Sequence, residues 1–431
     1  MSLKTTLGAL LLLAAPCLSQ AANLPAPSIS TGVGLTIHFV RGNTQDLDLM
    51  AAAGVKVVRT DFHWSDTEYQ KGVYDWSAYD ELAANIVKRG MRPYFILDYS
   101  NALYEQVEIL SQNGVPYAAF IDSPRNPASV AGFAAWAKAA ALHFQSQNVI
   151  WEIWNEPNLD DFWKPSANTP NYITLAKATC NAIHGAVPGA AVVGGATSGI
   201  AWQFLYDFMA SGVLDCLDAI SVHPYRAALP ETVSNEFQYL QWVVSQYAPL
   251  TKKLSIPVIS GEWGYSTETF GVPEADQANY LVRMQLNNLL NNIPISIWYD
   301  WKNDGTNAAY NENNFGIVSV TLQPKPAYQA LKTMTSQLSG YRLVSRIATG
   351  NDQDYLLMFI NAAGKYKGVV WTTGSAHTVT LMAGLSTGAA VSVVNSLGSV
   401  TKLNVGWAGV GVPMTSAPQY LDMSNLLIPA M

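Results

Sequence analysis

Between Val33 and Leu338, eight short runs rich in β-branched and aromatic residues alternate with helix-patterned stretches, and this alternation restricts the fold more than any other feature of the chain. The runs begin near Val33, Val55, Arg92, Val149, Ala191, Asp218, Ile256 and Ile293. Helical periodicity covers 77–89, 129–145, 171–186 and 274–291 between them. Eight strand-helix units predict an α/β fold, a (β/α)8 TIM barrel. A doubly wound sheet is the alternative. It would more often carry a Gly-rich phosphate loop after its first strand, and VGLTIHFVRG has none. The third and fourth runs start 57 residues apart, Arg92 to Val149, against about 31 per unit in an ordinary barrel. The excess, 99–127, follows a strand end and is expected to wall part of a cleft on the catalytic face.

After Leu338 the pattern changes to short strand-like runs broken by Gly, Asn and Ser, which predicts a small C-terminal antiparallel β-sandwich over 339–431. The other end reads as a secretory leader, 1–21. Lys4 is followed by an apolar stretch over 7–15, and Ser19-Gln20-Ala21 places small residues at −3 and −1 of a cut after Ala21. An uncleaved anchor helix is the competing reading, which the short apolar stretch disfavours. The leader implies a secreted or periplasmic protein, not inserted in a membrane after cleavage, with 22–338 as the catalytic barrel. It also leaves two cysteines, Cys180 and Cys216. An oxidising compartment would let them pair; buried free thiols are the alternative.

Charged residues make up 13% of the chain, with 24 Lys and Arg and a net charge of −7, so nothing here is built for a nucleic-acid backbone. Low charge with 13 Trp suits an uncharged partner such as a sugar polymer. The chemistry points the same way. Trp151-Glu152-Ile153-Trp154-Asn155-Glu156-Pro157 ends the fourth strand and Ser260-Gly261-Glu262-Trp263-Gly264 ends the seventh. Barrel enzymes place their chemistry at C-terminal strand ends, and strands four and seven face each other across the mouth. Two facing carboxyl groups can act as acid/base and nucleophile on a glycosidic bond. Glu156 must carry a proton for the leaving oxygen, and Glu262 must be ionised to attack C1. No metal or organic cofactor is expected.

The stretch WEIWNEPNLDDFW resembles the acid/base motif of clan A glycoside hydrolases, most closely glycoside hydrolase family 39. Within that family the chain looks like the endoglycosidases of bacterial exopolysaccharide systems, the Psl type. The Gly-Glu-Trp-Gly-Tyr form of the second motif, Ser221-Val222-His223-Pro224-Tyr225 and Pro324-Lys325-Pro326-Ala327-Tyr328 carry that likeness. It implies Glu156 as acid/base and Glu262 as nucleophile. Gly261 stands where the β-xylosidases of the family usually have Thr, which counts against xylosidase specificity.

Arg59, at the end of strand two, is the candidate cation beside Glu262, with pairing to Glu152 as its other role; five donors allow both. Glu152 is expected to be a buried core carboxylate. Asn155 can bind the sugar 2-OH. His223 and Tyr225 are candidates to orient Glu262, and His38, Asp98 and Tyr99 to contact sugar. Trp64, Trp163, Trp263, Trp298 and Trp301 are expected to offer indole faces to pyranose rings, Trp298 foremost. Their spread around the mouth predicts an elongated, two-ended groove with both glutamates near its middle. The leading expectation is a monomeric retaining endo-glycosidase acting on an oligo- or polysaccharide. An exo-acting β-xylosidase, an endoglucanase-like hydrolase and a non-catalytic sugar-binding barrel are the alternatives.

Overall fold

The computed structural model describes residues 24–112, 115–382 and 389–423. The expected leader lies outside the described residues. Eight parallel strands close into a barrel: β1 (Val33–Thr36), β2 (Val57–His63), β3 (Arg92–Asp98), β4 (Ile150–Ile153), β5 (Ala191–Ser198), β6 (Ala219–His223), β7 (Val258–Trp263) and β8 (Ser296–Trp298). β1 closes the ring by pairing with both β8 and β2, Leu35 opposite Trp298 and Thr36 opposite Arg59. The closed ring excludes the doubly wound alternative.

Side-chain alternation explains why the strands read as nearly unbroken apolar runs. Val57, Tyr94, Ile150, Val193, Ala219, Ile259 and Ile297 fill the interior. Their neighbours Val58, Phe95, Trp151, Val192, Ile220 and Val258 belong to the larger core that includes the surrounding helices. With both faces covered, neither parity can be polar except near the mouth. The helices start where their caps require. Asn126 accepts from Ser129 N at 2.9 Å to open helix Pro127–His143, and Asn168 from Asn171 N at 3.0 Å to open helix Thr169–Ala186. Each has proline in its first turn, where no backbone donor is needed. Cys180 on the second of these helices is disulfide-bonded to Cys216.

The long β3–β4 connection folds as an antiparallel hairpin, Val107–Gln112 with Val115–Ile121. Ile121 and the following Ser123 line a cavity at the barrel mouth, so the insertion is a wall, as its position predicts. Beyond helix Pro326–Leu338, eight antiparallel strands between Tyr341 and Asp422 form one sheet. The sheet folds over its own core, bringing Leu356, Met358, Val370, Val393, Val412 and Leu421 together. It meets the barrel through a buried clamp. Arg283 on helix Glu274–Leu290 holds both oxygens of Glu231 at 2.7 Å, and Trp371 Nε1 of the sheet donates to Glu231 Oε1 at 2.7 Å. No helix of the described residues is long and apolar enough to cross a membrane.

Candidate active site

The chain leaves β4 by a strained route. Trp154 and Glu156 have φ of 67° and 42°, and Ala196 on β5 has 43°. Such left-handed conformations cost about 1–3 kcal/mol each for residues with a Cβ, so neighbouring structure must impose them. Trp154 N donates to Leu97 O at 3.0 Å and Glu156 N to Ala196 O at 2.9 Å, pinning the turn to β3 and β5. Tyr172 Oη donates to Ile153 O at 2.9 Å from the helix behind. The kinked turn turns Asn155 and Glu156 into the mouth.

Glu262 arrives by a different irregularity. Ser260 pairs with Ser296 and Trp263 with Trp298, so β7 carries one extra residue between them. A Cβ at Gly261 would sit 2.1 Å from Ser221 Oγ, which explains glycine at this position.

One buried guanidinium joins the site. Arg59 donates from Nε to Glu152 Oε2 at 2.8 Å, from Nη1 to Glu262 Oε2 at 2.5 Å and from Nη2 to Asn155 Oδ1 at 2.8 Å. Both roles expected of Arg59 are therefore realised. Burial works against its charge, but Glu152 and Glu262 push its pKa further up, so it stays cationic. Glu152 is fully buried and takes a second hydrogen bond from Tyr94 Oη at 2.8 Å, as a core carboxylate should. Tyr225 Oη donates to Glu262 Oε1 at 2.8 Å; burial, then the charge of Glu262, raises the phenol so that it keeps its proton. His223 differs from expectation. Its Nδ1 lies 2.9 Å from Glu156 Oε1, not at Glu262, while Nε2 lies 3.3 Å from Arg59 Nη2. Arginine can only donate, so Nε2 accepts and Nδ1 carries the proton offered to Glu156. Carboxylate oxygens of Glu156 and Glu262 come within 4.8 Å of each other.

These groups open into a cavity of about 440 Å³, lined also by His38, Tyr99, Phe162 and Tyr299. Two further cavities flank it. One of about 410 Å³ shares Tyr99 and Phe162 and is bounded by the hairpin; one of about 300 Å³ shares Ile37 and His38 and extends over the end of β8. His38 is 40% exposed and lies 3.4 Å from buried Asp300. Burial opposes its charge, yet pairing with Asp300 raises it to about 9. Burial lifts Asp300 to about 7 against the pull of His38.

Asp98 and the five tryptophans need correction. Asp98 is fully buried and cannot touch sugar; burial, then the neighbouring Asp61, pushes its carboxyl well above the usual range. Trp64, Trp163, Trp263, Trp298 and Trp301 are all at most 1% exposed, so none can offer a face to a ring. Trp64 packs on Trp136 and Tyr104, Trp163 on Trp154, Trp263 under Arg226, and Trp298 on Tyr265; Trp301 Nε1 donates to Asp46. The aromatic lining is Tyr99, Phe162, Tyr225, Tyr299 and Phe315 instead. Asp61, Ser198 and Glu312 also line the cavity and were missed. Strand parity could have found two of the lining residues. Asp61 is two positions beyond Arg59, and Tyr299 continues the inward series Ile295, Ile297, to which Trp298 does not belong.

A closed (β/α)8 barrel with paired carboxylates at the ends of β4 and β7 is the arrangement of a glycoside hydrolase. The profile of glycosyl hydrolases family 39 matches residues 54–383, and the chain belongs to that family. A β-xylosidase from Geobacillus stearothermophilus is 33% identical over 92 residues, a stretch spanning 21% of this chain and 18% of that relative. Among solved structures, a family 39 glycoside hydrolase from Bacteroides cellulosilyticus WH2 superposes with a TM-score of 0.77 at 24% identity, covering 92% of this chain and 81% of that one. A GH39 β-xylosidase from Caulobacter crescentus gives 0.65 at 17% identity, covering 94% and 98%. These structural likenesses concern the fold.

Proposed function

We propose that this hydrolase cleaves β-glycosidic bonds with retention, acting within chains of a bacterial exopolysaccharide, with Glu156 as acid/base and Glu262 as nucleophile. The observation that carries the mechanism is that one oxygen of Glu156 and one of Glu262 lie within 4.8 Å of each other, which places the two carboxyl groups nearer the retaining spacing than the inverting one. Retaining enzymes hold the pair about 5–5.5 Å apart, whereas inverting enzymes leave about 6.5–9.5 Å for a water. Glu262 attacks the anomeric carbon while Glu156 protonates the departing oxygen. Water then hydrolyses the glycosyl-enzyme, with Glu156 taking its proton. Arg59 and Tyr225 each engage one oxygen of Glu262 and fix its direction of attack. His223 does the same for one oxygen of Glu156.

Endo action is supported by the row of three cavities, with the carboxylates in the central one. The exopolysaccharide assignment rests on the second-motif likeness and on Gly261. Export through a leader to the periplasm or beyond agrees with the paired cysteines. Exo-acting β-xylosidase activity is the second reading, favoured by the 33% identical relative. Proton NMR of the first product anomer, with chain-length analysis of products from polysaccharide, tests both points. Retained configuration and mixed oligomers are expected. Inverted product overturns the mechanism, and release of monosaccharide alone promotes the xylosidase reading.

A further inference from the structure

Two helices on the outer wall of the barrel show rings where such helices ordinarily show charge. Helix Trp202–Ala210 follows β5 and helix Ser234–Tyr247 follows β6. Neither contains a lysine or arginine, and each has one acid that is already engaged. Gln203 Nε2 donates to Asp207 Oδ1 at 3.0 Å, and Arg226 Nη2 to Glu236 Oε2 at 2.9 Å. The open sides of the two helices meet as one aromatic cluster. Between ring centres, Trp202 lies 5.0 Å from Tyr239 and Tyr239 5.5 Å from Trp242, the latter pair 18° from parallel. Tyr206 joins them by a hydrogen bond of 2.9 Å between its hydroxyl and that of Tyr239. Tyr239 and Trp242 are 45% and 56% exposed. Single exposed rings need no explanation, but a contiguous group with a polar border marks a surface that meets something.

What surrounds the rings indicates the partner. The exposed positions of helix Ser234–Tyr247 are Asn235, Gln238, Tyr239, Trp242, Gln246 and Tyr247, all ring or amide, with no aliphatic side chain and no charge. A lipid surface calls for basic residues and aliphatic area, and a protein interface for an apolar centre with arginine. Rings instead cover the apolar face of a pyranose, and amides bond its hydroxyls. Asn235 and Gln238 also border a cavity of about 490 Å³ beside Tyr355 of the C-terminal sheet. The cluster starts close to the cleft. Ser198 lines the catalytic cavity, and Trp202 is four residues further on, a reach of at most about 14 Å.

We infer that Trp202, Tyr206, Tyr239 and Trp242 form a second binding site, outside the cleft, for a neutral polysaccharide chain. The inference rests on the reading of this enzyme as one that acts within polymers. A chain leaving the mouth beside Ser198 stacks on the rings as it passes down the barrel wall. The polymer is then held at two places, and each engagement raises its effective concentration at the other. Oligosaccharides short enough to lie within the cleft do not reach the rings. The site takes no part in bond cleavage.

The test measures polymer binding apart from cleavage. The full chain with Glu262→Gln, and the same protein also carrying Tyr239→Ala and Trp242→Ala, are run through native gels containing xylan, galactomannan or mixed-linkage β-glucan. The first should be retarded by at least one polymer, and the ring variant should bind that polymer roughly tenfold more weakly. With Glu262 intact, the ring variant should cleave an aryl glycoside as wild type does, and show a raised KM on polysaccharide at unchanged kcat. Equal retardation of the two proteins overturns the inference, as does retardation by none of the three polymers. A fall in aryl glycoside turnover overturns it too, as damage that reaches the cleft. So does a dimer in gel filtration that the ring substitutions dissociate, since the face would then belong to a second copy of the chain. Release of monosaccharide alone from polysaccharide would defeat endo action and leave the retardation result standing. Release of oligomers with equal retardation would defeat only the second site.

Discussion

Glu156 and Glu262 reach the same cavity by unlike means, one through a left-handed backbone and the other through a strand bulge. Their roles separate under substitution. Glu262→Gln keeps the shape and removes the proposed nucleophile, so oligosaccharide binding should persist while turnover falls by several orders of magnitude. Glu156→Gln should lose roughly 10²–10⁴-fold on polysaccharide and far less on an aryl glycoside whose leaving group needs no proton. Steady-state kinetics on both substrate types checks this; full activity of Glu156→Gln on polysaccharide would refute the acid assignment. Asp98 gives a stability prediction. Its folded pKa is raised, so ionising it costs more in the folded state than in the unfolded one. That cost is absent below the unfolded value of about 3.9 and grows as pH rises toward the folded pKa. Asp98→Asn should therefore melt higher than wild type at pH 7, and the difference should vanish below about pH 4. Thermal melts at both ends of the range decide it.

At the level of elements, each strand end contributes by its parity, and this explains what was readable in the sequence. Arg59, Asn155, Glu156, Tyr225 and Glu262 were legible because strand-end position and residue chemistry agree. Trp298 was misread for the opposite reason: an indole suits sugar chemically, but its parity sends it outward and leaves Tyr299 at the mouth. The bulge at Gly261 has no periodic signal, and the need for glycine there comes from Ser221 on a different strand. The hairpin was legible only as excess length. Its cavity meets the central one at Phe162, which lies 6.2 Å from Tyr99 with the rings 21° from parallel. Phe162→Ala should lower kcat/KM roughly tenfold on oligosaccharides that reach past it, and less on a single-ring aryl glycoside. Equal losses on both would place no subsite there.

For the molecule as a whole, two devices hold parts distant in sequence. The Arg283–Glu231–Trp371 clamp seats the C-terminal sheet on the barrel. The Cys180–Cys216 disulfide closes a separation of 36 residues, which restricts the unfolded chain by about 4 kcal/mol on the loop-entropy account. A Cys180→Ser, Cys216→Ser double variant should melt several degrees lower under non-reducing conditions, and wild type should fall to meet it with reductant. Coincident melting of the two proteins without reductant would mean the bridge adds nothing. The sequestration of the tryptophans has an optical consequence. Indoles such as Trp64, Trp163, Trp263 and Trp298 emit from a dry interior, Trp154 and Trp301 border the flanking cavities with only 1% of their surface exposed, and the most exposed, Trp242 and Trp407, lie outside the three mouth cavities. Saturating the cleft with oligosaccharide should leave the emission maximum where it is, whereas unfolding should move it far to the red. The intrinsic fluorescence of this enzyme is thus a gauge of whether it is folded and a poor gauge of whether it is occupied.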